Sequence, residues 1–315
     1  MRLLPVDPLE PDPAAVAEAA AVLRAGGLVA FPTETVYGLG ADARTDAAIT
    51  RIYEAKQRPG SNPLIVHVPD TGAARALSAG WSSEADRLAE AFWPGPLTLV
   101  VPRGPGVSAR VSGGLDTVGL RVPAHPVALR LLEEAGLPVA APSANPYTRI
   151  SPTTAQHVVD GLGSRVDVVL DGGPTPVGIE STVVSVLGTP RLLRAGMLDA
   201  AALREVVPDL EVGPADGPAR SPGLAPRHYA PRARLSVGPY TPASGRGHLQ
   251  RGGTATGPLA IALPADPWGY AAGLYAALHR LDGLGCTEIV ADPLPDGEAW
   301  QALRDRLERA SFPEG

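Results

Sequence analysis

Short, almost wholly apolar runs recur through residues 1–200, and Gly or Pro brackets most of them. Leu28-Val29-Ala30-Phe31, Leu64-Ile65-Val66-His67-Val68 and Leu97-Thr98-Leu99-Val100-Val101 are the clearest. Runs this short leave no room for a helical stripe, and they lack polar alternation, so they read as strands buried on both faces. Val118–Val122, Val139–Ala141, Val166–Leu170 and Thr182–Val186 read the same way. Helical stretches separate them. Asp12 suits an N-cap, Pro13 the first helical position, and Gly26-Gly27 a helix end. Thr45–Lys56 puts Ile49, Ile52 and Tyr53 on one face, and helices are also expected near Pro126–Ala135, Thr153–Gly161 and Leu198–Val207. Helices between buried strands mean an α/β fold with a substantial central sheet, whose strand order this pattern does not contain.

The chain has 315 residues, room for one large domain or two ordinary ones, and its 44% hydrophobic content supports a sizeable core. Pro (35) and Gly (36) are abundant, which predicts many turns and a long linker. The linker is expected at 211–257, where periodicity is lost. No Asp or Glu occurs between Gly217 and Ala265, whereas Arg220, Arg227, Arg232, Arg234, Arg246 and Arg251 do. Such a stretch is either a solvated connector or a cationic strap over a polyanionic ligand. The tail reads strand (Leu259–Leu263), helix (Trp268–Leu281), strand (Glu288–Ala291), helix (Glu298–Arg309). This organisation divides the chain into a large α/β domain over 1–210, the linker, and a small α/β domain over 258–315.

A net charge of −6 argues against a general nucleic-acid coat. Cys286 is the only cysteine, which leaves no internal disulfide or Cys-rich zinc site and points to a reducing cytoplasm. The start turns acidic too early for a signal peptide, and no apolar run approaches a membrane span. Lys56 is the only lysine among 27 basic residues, in Lys56-Gln57-Arg58-Pro59. An ammonium and a guanidinium are not interchangeable at a phosphate, so this one marks a candidate site.

Common nucleotide motifs do not account for the chain. Lys56 has no glycine framework before it, so there is no phosphate loop. Gly38-Leu39-Gly40-Ala41-Asp42-Ala43 fits G-x-G-x-x-A, but Thr33 to Tyr37 separate it from the strand that a dinucleotide turn follows directly. What remains is a scatter of polar residues at strand ends and in Gly/Pro-rich loops: Thr33, Thr35, Lys56, Arg58, Asn62, His67, Thr117, Arg121, Ser143, Asn145, Ser151, Ser181, Thr182 and Arg194. Active sites of α/β sheets are assembled at such places. His67 and Arg121 lie within apolar strands, where an unpaired polar group is costly. Each is either a functional group or a satisfied one, a core histidine and a sheet-edge ion pair respectively. No metal-ligand set is read.

Seven blocks in order resemble the threonylcarbamoyl-AMP synthase family, whose catalytic unit is the YrdC-like domain. They are Phe31-Pro32-Thr33-Glu34-Thr35-Val36-Tyr37-Gly38-Leu39, Lys56-Gln57-Arg58-Pro59, Asn62-Pro63-Leu64, Trp93-Pro94-Gly95-Pro96-Leu97-Thr98, Gly119-Leu120-Arg121-Val122-Pro123, Ala141-Pro142-Ser143-Ala144-Asn145 and Ile179-Glu180-Ser181-Thr182-Val183. Ser221-Pro222-Gly223 and Arg227-His228-Tyr229-Ala230-Pro231 resemble the linker of the family's two-domain form, which adds a small Rossmann-like C-terminal domain. Leu224, Ala225 and Pro226 depart from it, standing where a methionine and Lys/Tyr-like residues are expected.

The resemblance implies a YrdC-like twisted sheet and an enzyme that makes threonylcarbamoyl-AMP and pyrophosphate from L-threonine, bicarbonate and ATP with Mg²⁺, for threonylcarbamoyladenosine modification of tRNA next to the anticodon. It implies catalytic roles for Lys56 and Arg58. ATP contacts would come from these two with Asn62, Thr117, Ser143, Ser151, Arg194 and Tyr229, and threonine contacts from Thr35, His67, Arg121, Ala141 and Ser181. A downstream tRNA threonylcarbamoyl transferase would take the product, with direct tRNA binding weak or absent. Two rival readings fit less well. A carbamoyl transferase of hydrogenase maturation would carry a zinc finger, which one cysteine cannot build; a non-catalytic RNA-binding module would want a basic, aromatic strip.

Overall fold

The buried apolar runs become strands because each sits between two helical layers with no polar side to turn outward. The computed structural model describes residues 1–213 and 226–313; Ser221-Pro222-Gly223, Leu224 and Ala225 lie outside the described residues. In chain order the first part contains β1 (Arg2–Pro5), α1 (Pro13–Arg24), β2 (Val29–Pro32), β3 (Tyr37–Asp42), α2 (Asp46–Lys56), β4 (Ile65–His67), α3 (Thr71–Ala76), α4 (Ser83–Phe92), β5 (Leu97–Pro102), β6 (Thr117–Arg121), α5 (Pro126–Ala135), β7 (Val139–Ala140), α6 (Ala155–Leu162), β8 (Val168–Asp171), β9 (Thr182–Ser185), β10 (Arg191–Arg194), α7 (Ala200–Val206) and β11 (Glu211–Val212). The second part contains β12 (Arg234–Val237), β13 (Arg246–Arg251), β14 (Ala260–Leu263), α8 (Pro267–Gly283), β15 (Glu288–Ala291) and α9 (Gln301–Ser311).

Among the described residues, eleven strands form one mixed sheet in the order β1-β8-β2-β3-β7-β4-β6-β5-β9-β10-β11. Helices α1 and α5 cover one face through Val16, Leu23, Leu131 and Leu132. The other face carries α2, α4, α6 and α7 through Ile49, Ile52, Leu88, Val158 and Leu203. The second sheet is β12-β15-β13-β14, with every pair parallel. Helix ends follow local chemistry. Asp12 accepts from the Ala14 amide beside Pro13, Asp266 caps α8 beside Pro267, and Gly136 ends α5 in the left-handed region.

The sheet is longer than the apolar runs suggest. β3 carries two glycines, which weaken a strand signal. A Cβ at Gly40 would stand 2.8 Å from both Phe31 and Val139 side chains, so neighbouring packing requires the glycine. The G-x-G-x-x-A stretch is therefore strand interior through Asp42, not a phosphate turn. The stretch expected to be linker to Gly257 contains β12 and β13, so the second sheet already begins at Arg234. β12 is four residues whose two end positions are exposed, too short for periodicity to register. A third core joins the parts: Val36, Ile150, Ile179 and Met197 of the first pack with Tyr229, Leu274 and Leu303.

Candidate active site

A cleft opens where strand ends and loops of the large sheet converge, lined in part by His228 and Tyr229. β4 and β6 are parallel neighbours in register, which sets His67 directly beside Arg121. Thr33 and Thr35 come from the β2–β3 loop, Arg58 from just past α2, Ala141 and Ser143 from just past β7, Glu180 and Ser181 from before β9, and Arg194 from the end of β10.

Arg121 is only 3% exposed and is held on every edge of its fork. Its Nε donates to the Gly95 carbonyl (3.2 Å) and its Nη1 to Thr35 Oγ1 (3.0 Å). Its Nη2 lies 2.8 Å from Glu34 Oε1, an ion pair whose N–H does not point along a hydrogen bond. Thr33 Oγ1 donates to the Val36 carbonyl, so Thr35 Oγ1 donates to Thr33 while accepting from Arg121. The guanidinium is thus pre-aimed. His67 is buried with no partner for Nδ1, unlike a satisfied core histidine. Burial first, then Arg121, holds its pKa well below the ordinary value, so the ring stays neutral.

The cations are arranged in layers. Arg58 Nη2 donates to the Pro63 carbonyl (2.9 Å), and the guanidinium lies 5.8 Å from the Tyr147 ring centre. Arg194 grips the Ser181 carbonyl through Nε (3.1 Å) and Nη2 (2.8 Å), and its Nη2 also reaches Ser181 Oγ (3.1 Å). Lys56 does not line the cleft. Its Nζ donates to the loop after β7, 2.5 Å from both the Ser143 and Asn145 carbonyls. Burial, then Arg58, pulls its pKa well below the ordinary value, with Glu180 pulling back. A compact ammonium fits between two carbonyls where a planar fork does not, which accounts for the one lysine.

The cleft therefore gathers Arg58, Ser143, Arg194 and Tyr229 of the expected ATP set, and Thr35, His67, Arg121, Ala141 and Ser181 of the expected threonine set. The others stand behind or away from it. Asn62 Nδ2 donates to Tyr147 Oη (2.9 Å). Ser151 is buried and donates to Glu180 Oε1 (2.5 Å). Thr117 begins β6, opposite Pro102 and four residues before Arg121, roughly 13 Å along the strand. Residue reasoning missed Glu180 and His228 as wall residues, although both lie inside blocks quoted above. It also missed Tyr275 and Arg306, which reach Glu180 from α8 and α9 and have no local motif to reveal them. Among the described residues no group of three or more His, Cys, Asp or Glu stands together, and no helix is long and apolar enough to cross a membrane.

Fold and site define a two-part α/β protein whose cleft gathers the buried guanidiniums of Arg58, Arg121 and Arg194. Residues 21–196 match the family model described as telomere recombination (Sua5, YciO, YrdC), and residues 198–311 match the one described as threonylcarbamoyl-AMP synthase, C-terminal domain. The Bacillus subtilis (strain 168) protein named threonylcarbamoyl-AMP synthase is 41% identical over 330 residues, covering 97% of this chain and 95% of that one. The crystal structure of Pyrococcus abyssi Sua5 complexed with L-threonine superposes with a TM-score of 0.91 at 36% identity, covering 99% of this chain and 98% of the other. The chain belongs to the threonylcarbamoyl-AMP synthase family.

Proposed function

We propose that this chain is an L-threonylcarbamoyladenylate synthase, a nucleotidyltransferase that joins L-threonine, bicarbonate and ATP into threonylcarbamoyl-AMP and pyrophosphate. The observation that carries this reading is the placement of the pre-aimed Arg121 fork in one cleft with Arg58 and Arg194. Threonine's carboxylate pairs with Arg121, beside the neutral His67 ring and the Thr35, Ala141 and Ser181 wall. The amine, having lost a proton, combines with bicarbonate to give N-carboxy-threonine and water. An oxygen of the new carboxylate attacks the α-phosphorus of ATP, the bond to the β-phosphate oxygen breaks, and pyrophosphate leaves. Arg58 and Arg194 lie where they can offset the charge on the triphosphate and on the leaving group. Lys56 acts through the loop, holding Ser143 in the wall. Tyr229 closes the nucleotide side and keeps water from the carbamate.

Glu180 is the only carboxylate lining the cleft among the described residues, and Ser151, Tyr275 and Arg306 already occupy it. This donor set does not suit a resident metal, so Mg²⁺ is read as part of the MgATP substrate. The product is destined for a separate transferase acting on tRNA in the cytoplasm, with little direct tRNA binding by this acidic chain. Pyrophosphate release, measured with threonine and bicarbonate each present or omitted, tests the reading. Release that needs both is the expected result. Release that ignores threonine and follows carbamoyl phosphate would overturn it.

A further inference from the structure

Glu180 poses an electrostatic problem, because a buried carboxylate in the wall of a cleft for a triphosphate should repel its ligand. It lies next in sequence to Ser181, which Arg194 grips, and within the same wall as Arg58. In a dry wall such a charge is weakly screened. Its oxygens are nonetheless fully engaged, and the second part of the chain does most of the work. Ser151 Oγ donates to Oε1 at 2.5 Å, while Tyr275 Oη and Arg306 Nε each donate to Oε2 at 3.0 Å. Burial pushes the Glu180 carboxyl up, and Arg306, followed by Arg194, brings it back below its ordinary value.

Arg306 is buried in the last helix, and its fork is used in full. Its Nη2 donates to the Ala195 carbonyl (3.0 Å), its Nη1 to Asp305 (2.9 Å), and its flat face lies 5.0 Å from the centre of the Tyr229 ring. Tyr229 itself has φ +60, a backbone conformation that a bulky residue keeps only when its surroundings impose it. Those surroundings are the Arg306 guanidinium, the Tyr275 ring, 5.8 Å away and inclined by 24°, and the His228 ring at 4.1 Å.

We propose that Arg306 is a positioning residue for nucleotide binding: it cancels the charge of Glu180 in the cleft wall and seats the Tyr229 ring over the nucleotide side. Helices α8 and α9 thereby complete the site although neither of them lines the cleft. This rests on the synthase reading only for the identity of the nucleotide.

The test is calorimetric titration of the full-length protein with α,β-methylene-ATP and Mg²⁺, alongside pyrophosphate release. Arg306→Gln is expected to weaken nucleotide binding about tenfold or more and to raise the KM for ATP, with the KM for threonine little changed. Adding Glu180→Gln removes the stranded charge while keeping the acceptors, so the double variant should regain most of the lost affinity. A merely structural role for Arg306 predicts no such rescue. Tyr275→Phe, which keeps the ring, should weaken nucleotide binding two- to threefold and stands in should Arg306→Gln not fold. Unchanged affinity in Arg306→Gln, no rescue in the double variant, or, where Arg306→Gln does not fold, unchanged affinity in Tyr275→Phe would overturn the proposal. A wild-type protein that binds the analogue but releases no pyrophosphate would instead sink the synthase reading and leave this comparison intact.

Discussion

Arg121 and Lys56 answer one question, which cation a site requires, in opposite ways. Arg121 spreads over Gly95, Thr35 and Glu34, and only a fork can touch all three. Arg121→Lys should therefore raise the KM for threonine by roughly tenfold or more, the scale of one charge-assisted hydrogen bond, and lower unfolding free energy by about 1–3 kcal/mol through the buried partners it leaves unmet. An unchanged KM would remove Arg121 from the carboxylate role. Lys56 is compressed between the Ser143 and Asn145 carbonyls. Lys56→Met keeps the length but strands two buried acceptors. It should lower unfolding free energy by about 1–3 kcal/mol in urea and cut turnover through the displaced Ser143 loop. If Lys56→Met lost turnover with no loss of stability, Lys56 would have to contact the substrate directly.

At the scale of elements, the contact between α8 and the large sheet decides whether Glu180 meets its partners. Gly178 has φ +81, and a Cβ there would stand 2.3 Å from the Ala271 carbonyl of α8. Gly178→Ala must push α8 away or distort the loop that carries Glu180 and Ser181. It should cost several-fold in ATP affinity as well as stability. Gly136→Ala is the control. Gly136 also has positive φ (+62), but it meets nothing within 4 Å, so its cost should be only about 1 kcal/mol with kinetics intact. Equal effects on ATP affinity would mean that backbone strain, not α8 docking, is what matters at Gly178.

For the whole molecule, the shared core makes the two parts one thermodynamic unit. A chain ending at Gly213 would expose Val36, Ile150, Ile179 and Met197 and leave Glu180 without Tyr275 and Arg306. It should retain ATP or the adenylate much more weakly than the full chain, and unchanged kinetics would refute the strap-and-wall arrangement. Histidine burial gives a second global property. Five of the six histidines, His67, His125, His157, His228 and His279, have pKa values lowered first by burial. Two reach about 4 for His157 and about 3 for His228. Such a ring stays neutral when folded but takes a proton when unfolded. Stability is therefore full above about 6.5 and declines as pH falls toward the folded values. Calorimetry should show Tm lower by roughly 5 °C or more at pH 5 than at pH 7.5. A flat Tm across that range would mean the histidines are hydrated.

The amino-acid sequence alone determined the α/β class, most strands of the large sheet and the N-cap of α1, because these depend on neighbours within a few positions. It also determined part of the cleft lining, since His67, Arg121, Ser181 and Arg194 are polar groups within or beside apolar runs, where a sheet gathers side chains. It did not determine β3, whose glycines answer to Phe31 and Val139, or β12 and β13, whose short runs carry no period. Only the tertiary structure decided that Lys56 supports a loop rather than lining the cleft, that Thr117 lies away from the wall, and that Arg306 completes a site 126 positions earlier in the chain. The physical reason is the same in each case. A side chain's charge and reach are local facts, but its partner is set by packing between segments whose separation in sequence carries no signal.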